Sequence, residues 1–277
     1  MTFTDTLIAA EPAVRALLAA APAEFTVSVA VDDLHDGGFS IDGDQVFRAA
    51  SVIKVPVMTA VLEDVAAQRL SLDQPISVDE AERVEPSGVL YVLQDVPTPS
   101  VRDLLTLMIV ISDNMATNLL IDAVGMDRVN ASMQHAGLTS TVLRRRLNTT
   151  DPAFASVRNE MTAADAAHGL VQLARAEGVY ADSALREVAM TALRRQQHID
   201  LLPRHLPEPI MLAHKTGSLD GLRHDAGILL RAGEPVAVVA VFADATDHGA
   251  HDVDPQTERA LEDLTAEIGR VLGAALR

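Results

Sequence analysis

The chain has 277 residues, 22 basic and 39 acidic, for a formal charge of −17. A body this acidic repels a phosphate backbone, which argues against nucleic-acid binding through a basic surface. There is no Cys, so disulfides, thiolate metal sites, iron–sulfur clusters and thiol nucleophiles are excluded together. Six Phe, two Tyr and no Trp leave few rings for stacking on bases or sugars.

With 48% hydrophobic and 22% charged residues, the composition is that of a globular chain rather than a disordered one. The longest apolar stretches, Leu104–Ile111 and Val236–Ala243, fall far short of the roughly 20 residues that span a bilayer. No membrane partner is expected. No Lys or Arg precedes Arg15, so the basic start of a secretory signal is not visible. The expectation is a cytoplasmic protein, or one that has lost its leader.

Glu11–Ala21 reads as a helix, with Pro12 in its first turn and Val14, Leu17 and Leu18 on one face. Phe25, Val27, Val29 and Val31 alternate with polar or small residues, which is strand periodicity. A turn at Asp36-Gly37-Gly38 leads to a second strand over Phe39–Phe47, broken at Asp42-Gly43, and the two strands form an antiparallel hairpin. From Ser51 to about Arg195 the pattern is helical. Ser100 and Asp103 form a capping box before Leu104–Ile111, and further helices are expected at 115–124, 127–135, 163–176 and 183–196. Thr162 and Asp165 repeat the cap signature. Ile210–His214 is a short strand, Gly227–Arg231 and Val236–Phe242 form a hairpin, and Asp254-Pro255 opens a last helix.

This order predicts an α+β fold, an α/β sandwich. Strands from both ends of the chain complete one antiparallel sheet, and the terminal helices cover one of its faces. Residues 1–50 and 205–277 make the sheet part and residues 51–204 an inserted all-helical part. A ligand cleft is expected where the two meet.

Three short patterns carry chemistry. In Ser51-Val52-Ile53-Lys54, a spacing of three puts hydroxyl and amine on one helix face. The helix start offers N–H groups to an oxyanion, and a desolvated Lys can act as base toward the Ser. Pro56 lacks the N–H that the Val52 carbonyl would accept, so a local adjustment is expected. Ser112-Asp113-Asn114 sits at the break between two apolar helices. Lys215-Thr216-Gly217, at the end of the Ile210–His214 strand, offers a cation, a hydroxyl and close backbone approach to a substrate carboxylate.

In this order the trio resembles class A β-lactamases and penicillin-binding proteins, over about residues 25–275. The surrounding stretches Phe47–Val55, Met108–Leu120 and His214–Ser218 are similar to that superfamily too. The resemblance implies its fold, a five-stranded antiparallel sheet beside an all-helical region. It also implies a serine hydrolase working through an acyl-enzyme on Ser51, with Lys54 as activating partner and Ser112 relaying a proton to the leaving nitrogen. Asn114 would bind the substrate's side-chain amide, while Lys215, Thr216 and Ser218 would hold its carboxylate, with Gly217 counted among the substrate-binding positions. Backbone N–H groups of Ser51 and Ser218 would form the oxyanion hole, a device that contributes about 10²–10³ in rate. No metal or cofactor is implied. The partner is a small molecule bearing a carboxylate: a β-lactam, an amide or an ester.

Class A enzymes position the deacylating water with a Glu-x-x-x-Asn element in the loop after the Ser-Asp-Asn helices. The comparable stretch here is Arg144-Arg145-Arg146-Leu147-Asn148, with Arg144 in the acid's place. An Arg cannot be a base at neutral pH. Acylation is expected to survive and deacylation to be weak or atypical; Lys54 could serve as its base, Glu160 or Asp151 could swing in from the loop though nothing in the sequence demands it, and Arg144→Glu is expected to speed it. Alternatives are a slowly deacylating penicillin-binding or sensor protein and a D-Ala-type peptidase. Glu160 reads as an ion-pair partner of Arg144–Arg146, and Tyr91 as either a cleft-edge or a packing residue. Arg223 reads as a carboxylate ligand or a strand-edge charge, and His214 as a packing residue. The His248–His251 stretch reads as a solvated acidic loop. Beside a family that is usually exported, the missing leader and Arg144 point to a substrate other than cell-wall peptide or incoming antibiotic.

Overall fold

The alternating Val residues after Thr26 form strand β1 (Thr26–Asp32), which pairs antiparallel with β2 (Gly38–Ile41). The computed structural model of the protein describes residues 3–78, 87–94, 98–148, 151–154, 156–245 and 253–277. Before β1 come two helices, α1 (Phe3–Ile8) and α2 (Glu11–Ala20). The break at Asp42, which has φ +49°, divides the expected second strand. Its far part becomes β3 (Val46–Arg48), which leaves the main sheet and pairs with β4 (Glu160–Thr162).

Helices α3 (Lys54–Ala66), α4 (Val101–Val110), α5 (Asn114–Val124), α6 (Met126–His135), α7 (Ala163–Ala174) and α8 (Ser183–Arg194) follow. Their starts obey the side chains that precede them. Ser100 and Asp103 form both halves of the capping box on α4, and Thr162 accepts from the Asp165 N–H on α7.

Three long strands return: β5 (Ile210–Leu219), β6 (Leu222–Arg231) and β7 (Glu234–Asp244). Ala232 and Gly233, both at positive φ, make the tight turn between β6 and β7. The expected short strand at Ile210–His214 is ten residues long, because pairing with β6 continues through Leu219 opposite Leu222. Lys215-Thr216-Gly217 therefore lies inside β5 rather than at its end. Asp254 caps the last helix, α9 (Pro255–Ala275).

The main sheet is antiparallel, five-stranded and ordered β2-β1-β7-β6-β5. Alternation along each strand sorts side chains to two cores. Val29, Val31, Val239 and Val241 meet Leu7, Val14, Ile268 and Leu272 of the terminal helices. Ala30, Val238, Ala240 and Phe242 belong to a larger core shared with α3–α8. Helix α7 packs across β1, β6 and β7 on that second face. Strand β5 is a sheet edge, so one side of it is left for the helical region and for a ligand. No described helix is long and apolar enough to cross a membrane.

One buried ring ties β3 to the sheet. His224 on β6 stacks on Phe242 at 4.1 Å and meets Phe47 edge-on at 5.5 Å. Its Nδ1 accepts from the Ala243 N–H, and its Nε2 bonds the Arg48 carbonyl. Both contacts are satisfied only by a neutral ring. Burial pushes its pKa down to about 4. The unfolded chain takes up this proton below about 6.5 and the folded chain does not, so the stabilisation is full at neutral pH and drains away between about 6.5 and 4. Urea unfolding across this window should show His224 contributing about 3 kcal/mol of pH dependence. His224→Phe should flatten the slope by that amount; an unchanged slope would contradict the assignment.

Candidate active site

Ser51 lies in a 3-10 turn, Ala50–Ile53, that runs directly into α3. Pro56 offers no N–H to the Val52 carbonyl, and the Lys54 N–H turns back to the Ser51 and Val52 carbonyls instead. The expected adjustment is this turn. Lys54 is fully buried, with its Nζ 3.1 Å from Ser51 Oγ. The same nitrogen donates to the Ser112 carbonyl at 2.8 Å, Ser112 Oγ at 2.9 Å and Asn114 Oδ1 at 2.8 Å.

Ser112 occupies the break between α4 and α5. Its φ is +58°, a left-handed conformation that costs a non-Gly residue about 1–2 kcal/mol. That conformation delivers both its carbonyl and its hydroxyl to Lys54. Asp113 secures the break from behind. One carboxylate oxygen caps α5 at the Ala116 N–H, and the other accepts from the Val89 and Leu90 N–H groups. Gly88, at φ +100°, makes this possible, since a Cβ there would stand 2.2 Å from the Asp113 carboxylate. Ser87 lines the cleft and donates to the Ser112 carbonyl.

Strand β5 closes the site. A Cβ on Gly217 would lie 3.1–3.2 Å from Ala50, Val52 and the Ser51 nitrogen, so Gly lets the strand approach the Ser51 turn without pushing these neighbours back. Lys215 is fully buried and donates to the Thr216 carbonyl. Behind it His214 is buried too, its Nδ1 2.8 Å from Asp225. As expected, His214 packs within the sheet.

Burial drives the Lys54 pKa well below 10.5; the positive Lys215 lowers it further and Asp113 opposes both. Burial also lowers Lys215, to about 7, against the pull of Asp225. Deprotonated, the Lys54 amine keeps two of its three donated bonds, gives up the third, and gains a lone pair for the Ser51 proton. These are also the only two lysines in the chain.

Ser51, Ser112, Asn114, Thr216 and Ser218 line one cleft of about 590 Å³. The structure thus brings the three sequence patterns together, with Lys54 and Lys215 buried in its wall. Another wall comes from the loop after α6. Asn118 on α5 grips Leu147 by both backbone groups, and Asn159 grips Arg145 in the same way. Leu147 and Asn148 line the cleft. Arg144 does not; its guanidinium pairs with Glu160 at 2.5 Å, the ion pair expected for Glu160. Arg145, Arg158, Asn159 and His198 also line the cleft, and the motifs point to none of them. His198 is held toward its neutral form by burial and by Lys215.

Arg223 reaches the cleft but spends its charge on Glu258 and Glu262 of α9, each at 3.0 Å. Tyr91 packs against the helical core and is not among the residues lining the cleft. His248–His251 lies outside the described residues.

This fold and this cleft place the chain among the β-lactamase and penicillin-binding serine-hydrolase folds. The model of the β-lactamase enzyme family matches residues 9–272, and the chain belongs to that family. It is 25% identical over 245 residues to a β-lactamase of Bacteroides uniformis, covering 83% of this chain and 79% of that one. A β-lactamase structure from Sphaerobacter thermophilus superposes with a TM-score of 0.83 and 33% identity, over 95% of this chain and 96% of that one. A mutant of PBP-A in which a Leu is replaced by Glu, an acyl-enzyme complex with penicillin G, superposes with a TM-score of 0.80 and 25% identity, over 98% and 96%.

The charge on Lys215 sets a pH dependence. Its ammonium is present below about 7 and lost above it, so a carboxylate bound against it would lose its counter-charge as pH rises. KM for a carboxylate-bearing substrate should rise severalfold between about pH 7 and 8.5, while KM for an uncharged ester stays level. Parallel profiles would remove Lys215 from carboxylate binding.

Proposed function

We propose that the protein is a serine hydrolase that forms an acyl-enzyme on Ser51 and releases it slowly. The observation that carries this reading is the Lys54 amine, buried and within hydrogen-bond reach of both Ser51 and Ser112. The sheet part and the helical part act as one catalytic unit, with the cleft between them.

In the proposed reaction the neutral Lys54 amine takes the Ser51 proton as Oγ attacks the substrate carbonyl. The charge developing on the carbonyl oxygen falls to the backbone N–H groups of Ser51 and Ser218. Gly217 supports that role by letting β5 approach the Ser51 turn. Collapse of the tetrahedral intermediate breaks the carbon–nitrogen or carbon–oxygen bond, and Ser112, bonded to Lys54, passes the proton to the leaving atom. Lys215, Thr216, Gly217 and Ser218 hold the carboxylate, and Asn114 holds the acyl side-chain amide.

Hydrolysis of the ester on Ser51 needs a base for water. The loop contributes Leu147, Asn148, Arg145, Arg158 and Asn159 to the cleft, and none is a carboxylate. Lys54 remains as the base, which supports slow turnover of β-lactams. The acyl-enzyme complex of the PBP-A mutant with penicillin G supports acylation by a β-lactam in this fold. Because Leu147 lines the cleft and Arg144 does not, the position for an added acid is 147.

Intact-mass time courses with penicillin G test this. Wild type should form an adduct on Ser51 that persists, and Ser51→Ala should form none. Leu147→Glu should shorten the lifetime of the adduct by about tenfold or more, while Arg144→Glu should not. An adduct on Ser51→Ala would contradict the nucleophile, and faster release by Arg144→Glu alone would contradict the loop placement.

A further inference from the structure

Three arginines stand in a row at 144–146, and the structure treats them differently. Arg144 pairs outward with Glu160. Arg146 pairs with Asp122 on α5 at 3.1 Å. Arg145, between them, lines the cleft. Its backbone is clamped on both sides by Asn159. Among the described residues no carboxylate pairs with its guanidinium, and its Nε is buried without a hydrogen-bond partner.

A second positive charge stands beside it. Arg158 lines the same wall; the partial burial of Arg145, and after it the charge of Arg158, lower the Arg145 pKa. The Arg145 guanidinium pairs with no carboxylate among the described residues, and an anion in the cleft would supply its counter-charge. The carboxylates that line the cleft, Asp200, Asp220 and Glu262, come from other segments, and none bonds Arg145.

The wall also has a place relative to the substrate. The loop is strapped along α5 through Leu147 on Asn118 and Arg146 on Asp122. Helix α5 begins at Asn114, the residue assigned to the acyl side chain. The cation Lys215 lies on β5, a different wall.

We propose that Arg145, with Arg158 beside it, forms a second anion subsite, and that the preferred substrate carries an acidic group on the acyl side of the bond cleaved. The substrate would then be a dicarboxylic amide, ester or lactam, with one carboxylate at β5 and the other at Arg145. This rests on the acyl-enzyme reading above.

Benzylpenicillin and its α-carboxy analogue differ by one carboxylate on the acyl side chain and serve as matched probes. Second-order rate constants for adduct formation on Ser51 are read by intact mass. Wild type should react with the α-carboxy compound at least about tenfold faster, a preference that shrinks in high salt. The ratio should fall to about one in Arg145→Gln and be partly kept in Arg145→Lys, with folding of both checked by thermal unfolding. Equal rates in wild type, or an undiminished ratio in folded Arg145→Gln, would overturn the subsite and leave the acyl-enzyme standing. No adduct from either compound would overturn the acyl-enzyme reading, and the subsite with it.

Discussion

The Lys54 side-chain nitrogen, fully buried and ringed by oxygens of Ser51, Ser112 and Asn114, is the contact around which the rest of the molecule is arranged. Each partner comes from a local irregularity. Ser51 comes from a 3-10 turn that runs into α3, Ser112 from a left-handed break after α4, and Asn114 from the first position of α5. None of these irregularities would stand alone. Asp113 holds the break by capping α5 and gripping the Val89–Leu90 backbone, and Gly217 lets β5 press the Ser51 turn into place.

Such a site costs stability. Lys54 and Lys215 both lose water, and both have folded pKa values below the 10.5 of the free side chain. The unfolded chain therefore holds these protons to a higher pH than the folded chain does, and folding is penalised below the unfolded value. Two cores offset this, one on each face of the sheet. It is consistent that a chain with 22 basic residues places its only two lysines here and leaves every other permanent cation to Arg. A guanidinium stays charged in any setting, whereas an amine can be driven neutral by burial.

Much of this is readable from the residues. The capping pairs Ser100–Asp103 and Thr162–Asp165 mark helix starts because their chemistry is local. The alternating strands and the order of elements announce the sheet, and the spacing of Ser51 and Lys54 announces the pair. What escapes is set by contacts between distant, irregular segments. The splitting of β3 from β2 depends on pairing with Glu160–Thr162, far along the chain. The loop at 144–148 has no periodicity to say which side chain turns inward. Asn118 and Asn159 decide that by gripping backbone, so Leu147 and Arg145 face the cleft while Arg144 turns to Glu160. The scarcity of lysine was a usable signal, since it singles out both buried amines without any motif.

That scarcity also makes the central interaction directly measurable. With lysine labelled at Cε with carbon-13, only two side-chain signals arise, and Lys54→Arg assigns them by removing one. The arrangement predicts that the Lys54 amine titrates well below 10.5 in the folded protein, and that its apparent pKa tracks the pH dependence of Ser51 acylation. A Lys54 signal titrating at or above 10.5, with acylation still proceeding at neutral pH, would contradict Lys54 as the group that takes the Ser51 proton.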